Sequence, residues 1–242
     1  MISKAIIKDI QNLTHKDSRD DQGLFLAEGD KWAEELLGLV PQNIQCLYAK
    51  KNWLDSNASR LKGIQVEEVD DIMLSRLSQL RSPQDVLIVS KQFKRTIEPA
   101  TGGLHLALST IQDPGNLGTL IRTADWFGIK QIVCSPDCVD QYNPKVVQAT
   151  MGSLIRVSVC YTPLTDWISA QQGVRKWAAV LHGKNYSTVT GEGILLLGNE
   201  SKGLSEELLS LATDPITIPR IGGAESLNVS VAAGILLAQL TR

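Results

Sequence analysis

From Leu227 to Leu240 the chain reads LNVSVAAGILLAQL, a stretch without a single charged residue. Wound as a helix, it carries Val229, Val231, Ile235, Leu236, Leu237 and Leu240 around most of its circumference, and Ala232, Ala233 and Gly234 allow close approach. A helix that is apolar all round is buried on every side. One sheet covers one face of it, so a second partner must cover the other. The polar residues at its head, Ser226 and Asn228, are then expected at the bottom of a site, because buried polar groups need hydrogen-bond partners. The run is too short for a membrane span and is interrupted by Asn228, Ser230 and Gly234. It therefore belongs to a packed core.

With 242 residues, 43% hydrophobic and 21% charged, the chain is long enough for one large domain or two small ones. Its first residues, MISKAIIKDIQNLTHKDSRDD, lack the apolar segment of a signal peptide, which predicts a cytoplasmic protein without a membrane partner. Cys46, Cys134, Cys138 and Cys160 form no paired CxxC motifs, so they are expected as core thiols, with no metal site. The net charge of −2 argues against a bulk electrostatic binder of nucleic acid, although local patches escape such an average.

Two parts follow from the patterning. In residues 1–90, Ile6, Ile7, Ile10 and Leu13 mark a helix, followed by a polar turn, KDSRDDQG. LFLAEG reads as a strand and DKWAEELLGL as an amphipathic helix capped by Asp30. IQCLYAK and DVLIVSK are strands, with VDDIMLSRLSQL a helix between them, giving a small α/β domain. Residues 91–103, with their charge, proline and paired glycine, read as a linker. Residues 104–242 repeat strand, polar loop and helix. LHLALSTI leads through QDPGN into LGTLIRTADWFG, which Gly128 ends at its C′ position. KQIVCS, GILLLG and PITIP are further strands. The fold class is α/β with a mostly parallel sheet, and ligands of such sheets sit at the carboxyl ends of the strands.

Three loops at those ends carry the chemistry. In the first, Asp113 and Pro114 turn the chain, Asn116 is able to cap the helix, and Gly118 permits close approach. Arg122 follows one turn later. Its apolar neighbours Leu120, Ile121 and Ala124 favour a half-buried guanidinium over one on a solvated face. The second loop sets Asn199, Glu200, Ser201 and Lys202 between Gly198 and Gly203, and Ser205 then caps a helix. Neither a phosphate loop nor a GxGxxG fingerprint occurs, which counts against a small-molecule enzyme built on a nucleotide fold. The third loop holds Gly222, Gly223, Ser226 and Asn228.

Asn116-x-Gly118-x-x-x-Arg122-x-Ala124, then Gly198-Asn199-Glu200-x-x-Gly203-Leu204, then Ile218-Pro219-x-x-Gly222-x-x-x-Ser226-Leu227-Asn228-Val229-Ser230 closely resemble the three ordered motifs of the SpoU family of RNA 2′-O-ribose methyltransferases. NPKVVQATMGS, residues 143–153, resembles the segment between the first two motifs, so the likeness spans residues 104–242. It implies a SPOUT-type sheet with a C-terminal trefoil knot, S-adenosylmethionine (S-adenosyl-L-methionine) as cofactor, and RNA as substrate. A non-catalytic RNA-binding protein on the same fold is the other class, and the intact motifs weigh against it.

By the same resemblance Gly198, Asn199, Gly203, Ile218, Ser226, Leu227 and Asn228 surround the cofactor. Arg122, Asn116, Glu200 and Asn228 are the catalytic candidates, with Arg122 also touching RNA. Arg122 is often assigned as general base in the family. A guanidinium stays protonated, which favours a role in stabilising the developing alkoxide or clamping a phosphate. LTHKDSRDDQGLFLAEG resembles the start of a ribosomal-protein-like substrate-binding domain, which makes Lys16 and Arg19 expected RNA contacts and ribosomal RNA favoured over transfer RNA. Arg220 stands where relatives commonly carry an apolar residue. The resemblance also implies a homodimer built on the last helix and the helix Leu117–Phe127, with Leu120, Ile121, Trp126 and Phe127 toward the partner.

Overall fold

The computed structural model describes residues 2–242. In chain order its first elements are α1 (Lys4–Asn12), α2 (Lys16–Gln22), β1 (Leu24–Glu28), α3 (Asp30–Leu39), β2 (Ile44–Ala49), α4 (Lys51–Asn57), β3 (Val66–Glu68), α5 (Asp71–Leu77) and β4 (Val86–Lys91). There follow β5 (Leu104–Leu108), α6 (Pro114–Trp126), β6 (Gln131–Cys134), α7 (Pro144–Thr150), β7 (Ser158–Tyr161) and α8 (Leu164–Ala170). The last are β8 (Lys176–Asn185), β9 (Gly193–Leu197), α9 (Glu206–Leu211), β10 (Asp214–Thr217) and α10 (Val229–Leu240). The chain divides into two compact units, Met1–Lys94 with Asp140–Ile155, and Arg95–Val139 with Arg156–Arg242.

The first unit is built on a four-stranded mixed sheet of order β1-β4-β2-β3. Ile7, Ile10 and Leu13 of the α1 region pack with Leu74 and Leu77 of α5 over Leu26, Leu87 and Val89, as the spacing of the isoleucines requires. Three local expectations change. KDSRDDQG is not a turn but α2, which Gly23 ends at φ 64 in the left-handed region. Asp30 is the first helical residue of α3, after Gly29 at φ 96, and its carboxylate accepts the Trp53 indole N–H at 2.5 Å instead of capping. The helix expected between β2 and β4 is preceded by α4 and the short strand β3, which pairs parallel with β2.

The residues following Asp140 also belong to this unit. Trp32 donates its indole N–H to the Val147 carbonyl at 2.9 Å, Val146 and Val147 are buried, and the Phe25 and Tyr142 rings stand 4.8 Å apart. The segment 143–153, read from sequence as part of the second domain, thus completes the core of the first. The boundary between the units falls within residues 91–103, the expected linker, and each part of that segment is held by its own unit. The Phe93 amide donates to Tyr142 Oη at 2.7 Å, and in the second unit the Glu98 and Ala100 amides donate to the side chains of Gln131 and Gln171.

The second unit has a six-stranded, fully parallel sheet of order β10-β8-β9-β5-β6-β7. After β5 the chain adds β6 and β7 on one side, then crosses to lay β8, β9 and β10 on the other. The reversal falls at β5 and its neighbour β9, the place where open parallel sheets bind ligands. Helix α10 packs on α6. Val229, Ser230, Ala233, Leu236, Leu237 and Leu240 are its buried face, whereas Val231 is 53% exposed. Within one chain the apolar helix is therefore covered on one side only. Among the described residues no helix is long and apolar enough to cross a membrane.

Candidate active site

Strands β5 and β9 run side by side with Leu108 level with Leu197, and the Ser109 amide donates to the Leu197 carbonyl at 2.9 Å. The loops that follow them consequently leave from the same point. In the first, Asp113 caps α6 by accepting the Asn116 amide at 2.8 Å, and Pro114 occupies the opening turn. Asn116, expected as the cap, is relieved of that task and its side chain becomes a hub. Its Nδ2 donates to Glu200 Oε1. Its Oδ1 accepts from Asn228 Nδ2 at 2.9 Å and from Ser230 Oγ at 3.4 Å, and Ser230 Oγ also reaches the Asn116 carbonyl at 3.2 Å. One residue from each of the three loops thus meets at a single amide.

The second loop is shaped by close backbone approach. A Cβ on Gly198 stands 2.4 Å from the Gly203 carbonyl carbon and 2.6 Å from the Leu204 nitrogen, so only glycine fits there. Asn199 braces the turn, its Oδ1 accepting the Ser201 and Lys202 amides at 2.9 and 3.2 Å. Its Nδ2 donates to the Thr110 carbonyl at 3.1 Å. Thr110 is held at φ 57, a conformation costly for a branched residue, by that bond and by Ser135 Oγ, which accepts its amide. Behind it, Cys138 Sγ accepts the Ile111 amide at 3.2 Å and donates to the Leu108 carbonyl at 3.3 Å. The thiol of Cys134, hydrogen-bonded to it, lowers the Cys138 thiol to about 7, while Cys134 itself is pushed up by the same bond and by burial. All four cysteines are free and buried.

In the third loop Asn228 has two tasks. Its Oδ1 caps α10, accepting the Ser230 and Val231 amides at 2.9 and 3.4 Å, while its Nδ2 reaches Asn116. Ser226, Leu227 and Asn228 are exposed, not at the bottom of a closed site as the buried-helix argument predicts. Ile218 is half-buried, and Leu227 is 45% exposed. Arg220 donates to the Ala224 carbonyl at 3.3 Å, closing this loop on itself. The exposed apolar side chain of Leu227, next to Asn228 of the polar hub, fits an adenosine, which has an apolar ring face and a polar edge.

The expected site residues are not all brought together. Arg122 lies on another face of α6 and is exposed, contrary to the half-buried position inferred from its apolar neighbours. Leu120 and Ile121 are completely buried against their own unit, and of the four residues expected to face a partner it is Trp126, at 85% exposure, that points outward. Arg19 is no RNA contact. It is 2% exposed, its Nη1 donates to the Leu13 and Thr14 carbonyls, and Nε and Nη2 bind Asp140 Oδ2. Lys16 is exposed and ion-paired with Asp20. Ser230 was present in the third motif without an assigned role, and the hub gives it one.

Residues 103–238 match the SpoU rRNA Methylase family, and residues 4–88 the MRM3-like substrate binding domain. The chain belongs to the SpoU rRNA methylase family. It is 31% identical to the Bacillus subtilis 23S rRNA (guanosine(2553)-2′-O)-methyltransferase RlmP, over 97% of this chain and 95% of that protein. Human mitochondrial rRNA methyltransferase 3 is 25% identical, over 90% of this chain and 67% of that one. The AdoMet-bound rRNA methyltransferase from Sinorhizobium meliloti superposes with a TM-score of 0.86 at 33% identity, over 99% of this chain and 95% of that chain. As a SpoU methylase the chain is an S-adenosylmethionine-dependent RNA 2′-O-methyltransferase.

Proposed function

We propose that this chain methylates a ribose 2′-hydroxyl of ribosomal RNA as a homodimer, with Asn116, Glu200 and Asn228 ordering the site and Arg122 acting on the reacting ribose. The convergence of the three loops on the Asn116 amide carries this reading. Ribosomal RNA is favoured over transfer RNA by the substrate-binding match at residues 4–88 and by the named substrates of the similar proteins. When bound, S-adenosylmethionine supplies an electrophilic methyl group on a sulfonium. The protein's share is to hold the ribose oxygen in line and favour loss of its proton. Asn116 fixes one carboxylate oxygen of Glu200, so that Glu200 positions the ribose. Gly198, Asn199, Gly203, Ile218, Ser226 and Leu227 line the cofactor. The free cysteines accord with a reducing cytoplasm. The C-terminal segment is read as knotted: from the edge strand β10 the chain returns to pack α10 on α6, and the Gly191 amide binds the Leu240 carbonyl at 3.0 Å.

The dimer rests on two outward stripes. On α10, Val231 and Ala238 are exposed with Ile235 half-covered between them, and on α6, Thr119, Arg122 and Trp126 are exposed at helical spacing. A partner seated there covers the open side of α10 and stands beside Arg122. An obligate interface of this kind buries roughly 2,000 Å² or more in total. Val231→Asp is expected to give a folded monomer that has lost methyl transfer, seen by analytical ultracentrifugation with circular dichroism. A wild-type chain that sediments as an active monomer contradicts the dimer. Calorimetric titration with S-adenosylmethionine tests the cofactor assignment, one molecule per chain being expected.

A further inference from the structure

We infer that a groove on the first unit, between the start of α3 and helix α4, holds one unpaired base of the substrate RNA, a base that carries an exocyclic amino group. The inference rests on the RNA reading above and adds where and how a base is read. The groove has a volume of about 470 Å³, enough for a nucleobase with its ribose. Trp53 is half-buried in its wall, and the bond from its indole N–H to Asp30 Oδ1 at 2.5 Å fixes the plane of the ring. An aromatic ring held in this way is a stacking platform for a base.

The charges select a neutral ligand. Three carboxylates line the groove, but each is engaged. Asp30 accepts from Trp53, Glu34 pairs with Lys31 at 3.4 Å, and Asp85 pairs with Lys50 at 2.8 Å, a lysine shared with Asp71. Arg60, at the rim, is tied to the Glu34 carbonyl at 3.1 Å. Neither a bare cation cluster for a phosphate nor a bare anion cluster for a cationic peptide remains. What the groove offers in excess is acceptors. The second oxygens of Asp30 and Glu34 are open, and Asn57 spends its Nδ2 on the Trp53 carbonyl at 2.9 Å, leaving its Oδ1. Carboxylates accept from base amino groups; adenine, cytosine and guanine bring two amino hydrogens to the two open carboxylates, whereas uracil brings only its single ring N3–H and fits the groove least well.

The test follows the tryptophan indole N–H signals of the isotope-labelled full-length protein, with the Trp53 signal assigned by Trp53→Phe. AMP, CMP or GMP is expected to move that signal, and UMP to move it less at the same concentration. Trp53→Ala should weaken binding of a single-stranded RNA oligonucleotide about 5- to 100-fold, Trp53→Phe should retain most of it, and both should bind S-adenosylmethionine like the wild type. The inference is overturned if none of the four nucleotides moves the signal, if tri-arginine moves it and they do not, or if Trp53→Ala binds the RNA normally. A wild-type chain that binds S-adenosylmethionine but no RNA overturns the RNA reading itself, and the inference with it.

Discussion

Arg122→Ala is expected to lower the rate of methyl transfer by about 100- to 1,000-fold, the usual cost of removing one preorganised contact to developing charge. Fold and cofactor affinity should hardly change, because the side chain is exposed and among the described residues no hydrogen bond or ion pair engages it. That freedom gives the prediction its force. An arginine that braced the site would be bonded to it, as Arg156 is to Asp125 at 2.7 Å. On the homodimer proposed above, Arg122 is one of the outward residues of α6 that a partner subunit would meet. Single-turnover kinetics at saturating S-adenosylmethionine check the rate, and calorimetry checks the affinity. Wild-type turnover in this variant removes Arg122 from the reaction.

Gly198→Ala is expected to abolish most cofactor binding while Gly223→Ala leaves it intact. The methyl group at position 198 meets the backbone of Gly203 and Leu204, which has no rotamer with which to yield, whereas a Cβ at position 223 meets nothing within 4 Å. Overpacking of this sort costs about 1–3 kcal/mol, or roughly 5- to 150-fold in affinity. Titration of both variants, with thermal unfolding to separate loss of binding from loss of fold, distinguishes a shaped loop from a merely glycine-rich one. Equal affinities in the two variants contradict the close approach as the reason for glycine at 198.

Much of the second unit was legible because its signals are local. Strands β5, β6, β9 and β10, Gly128 at the end of α6 and Ser205 as the cap of α9 follow from sequence alone, whereas β7 and β8 do not appear in that reading, and the three motifs named Asn116, Glu200 and Asn228 before their convergence was visible. The errors have identifiable causes. Asp113 and Asn116 are both good capping residues, and Pro114 between them marks Asp113, since proline favours the first helical position. Arg122 was placed by its neighbours in sequence. Its neighbours on the helix surface are Thr119 and Trp126, three and four residues away, and both face outward.

Other features had no local signal. Arg19 turns inward to meet Asp140, 121 positions along the chain, and that distant carboxylate helps to make a helix of a stretch whose composition reads as a turn. The return of residues 140–155 to the core of the first unit likewise depends on Trp32, Phe25 and the Val147 carbonyl finding one another. The half-covered state of α10 is different again. The apolar sequence required two coverings, and a single chain supplies one.

The central claim is methyl transfer to a ribose oxygen, and alkaline hydrolysis of labelled RNA tests it most directly. Ribosomal RNA is incubated with the protein and S-adenosylmethionine carrying an isotope-labelled methyl group, then hydrolysed. Alkali cleaves RNA through the 2′-hydroxyl, so a methylated ribose protects its own linkage. The label is predicted to appear in alkali-resistant dinucleotides, and to vanish from them with Arg122→Ala. Label recovered in mononucleotides, as base methylation would give, or no incorporation by a protein that binds S-adenosylmethionine, contradicts the account.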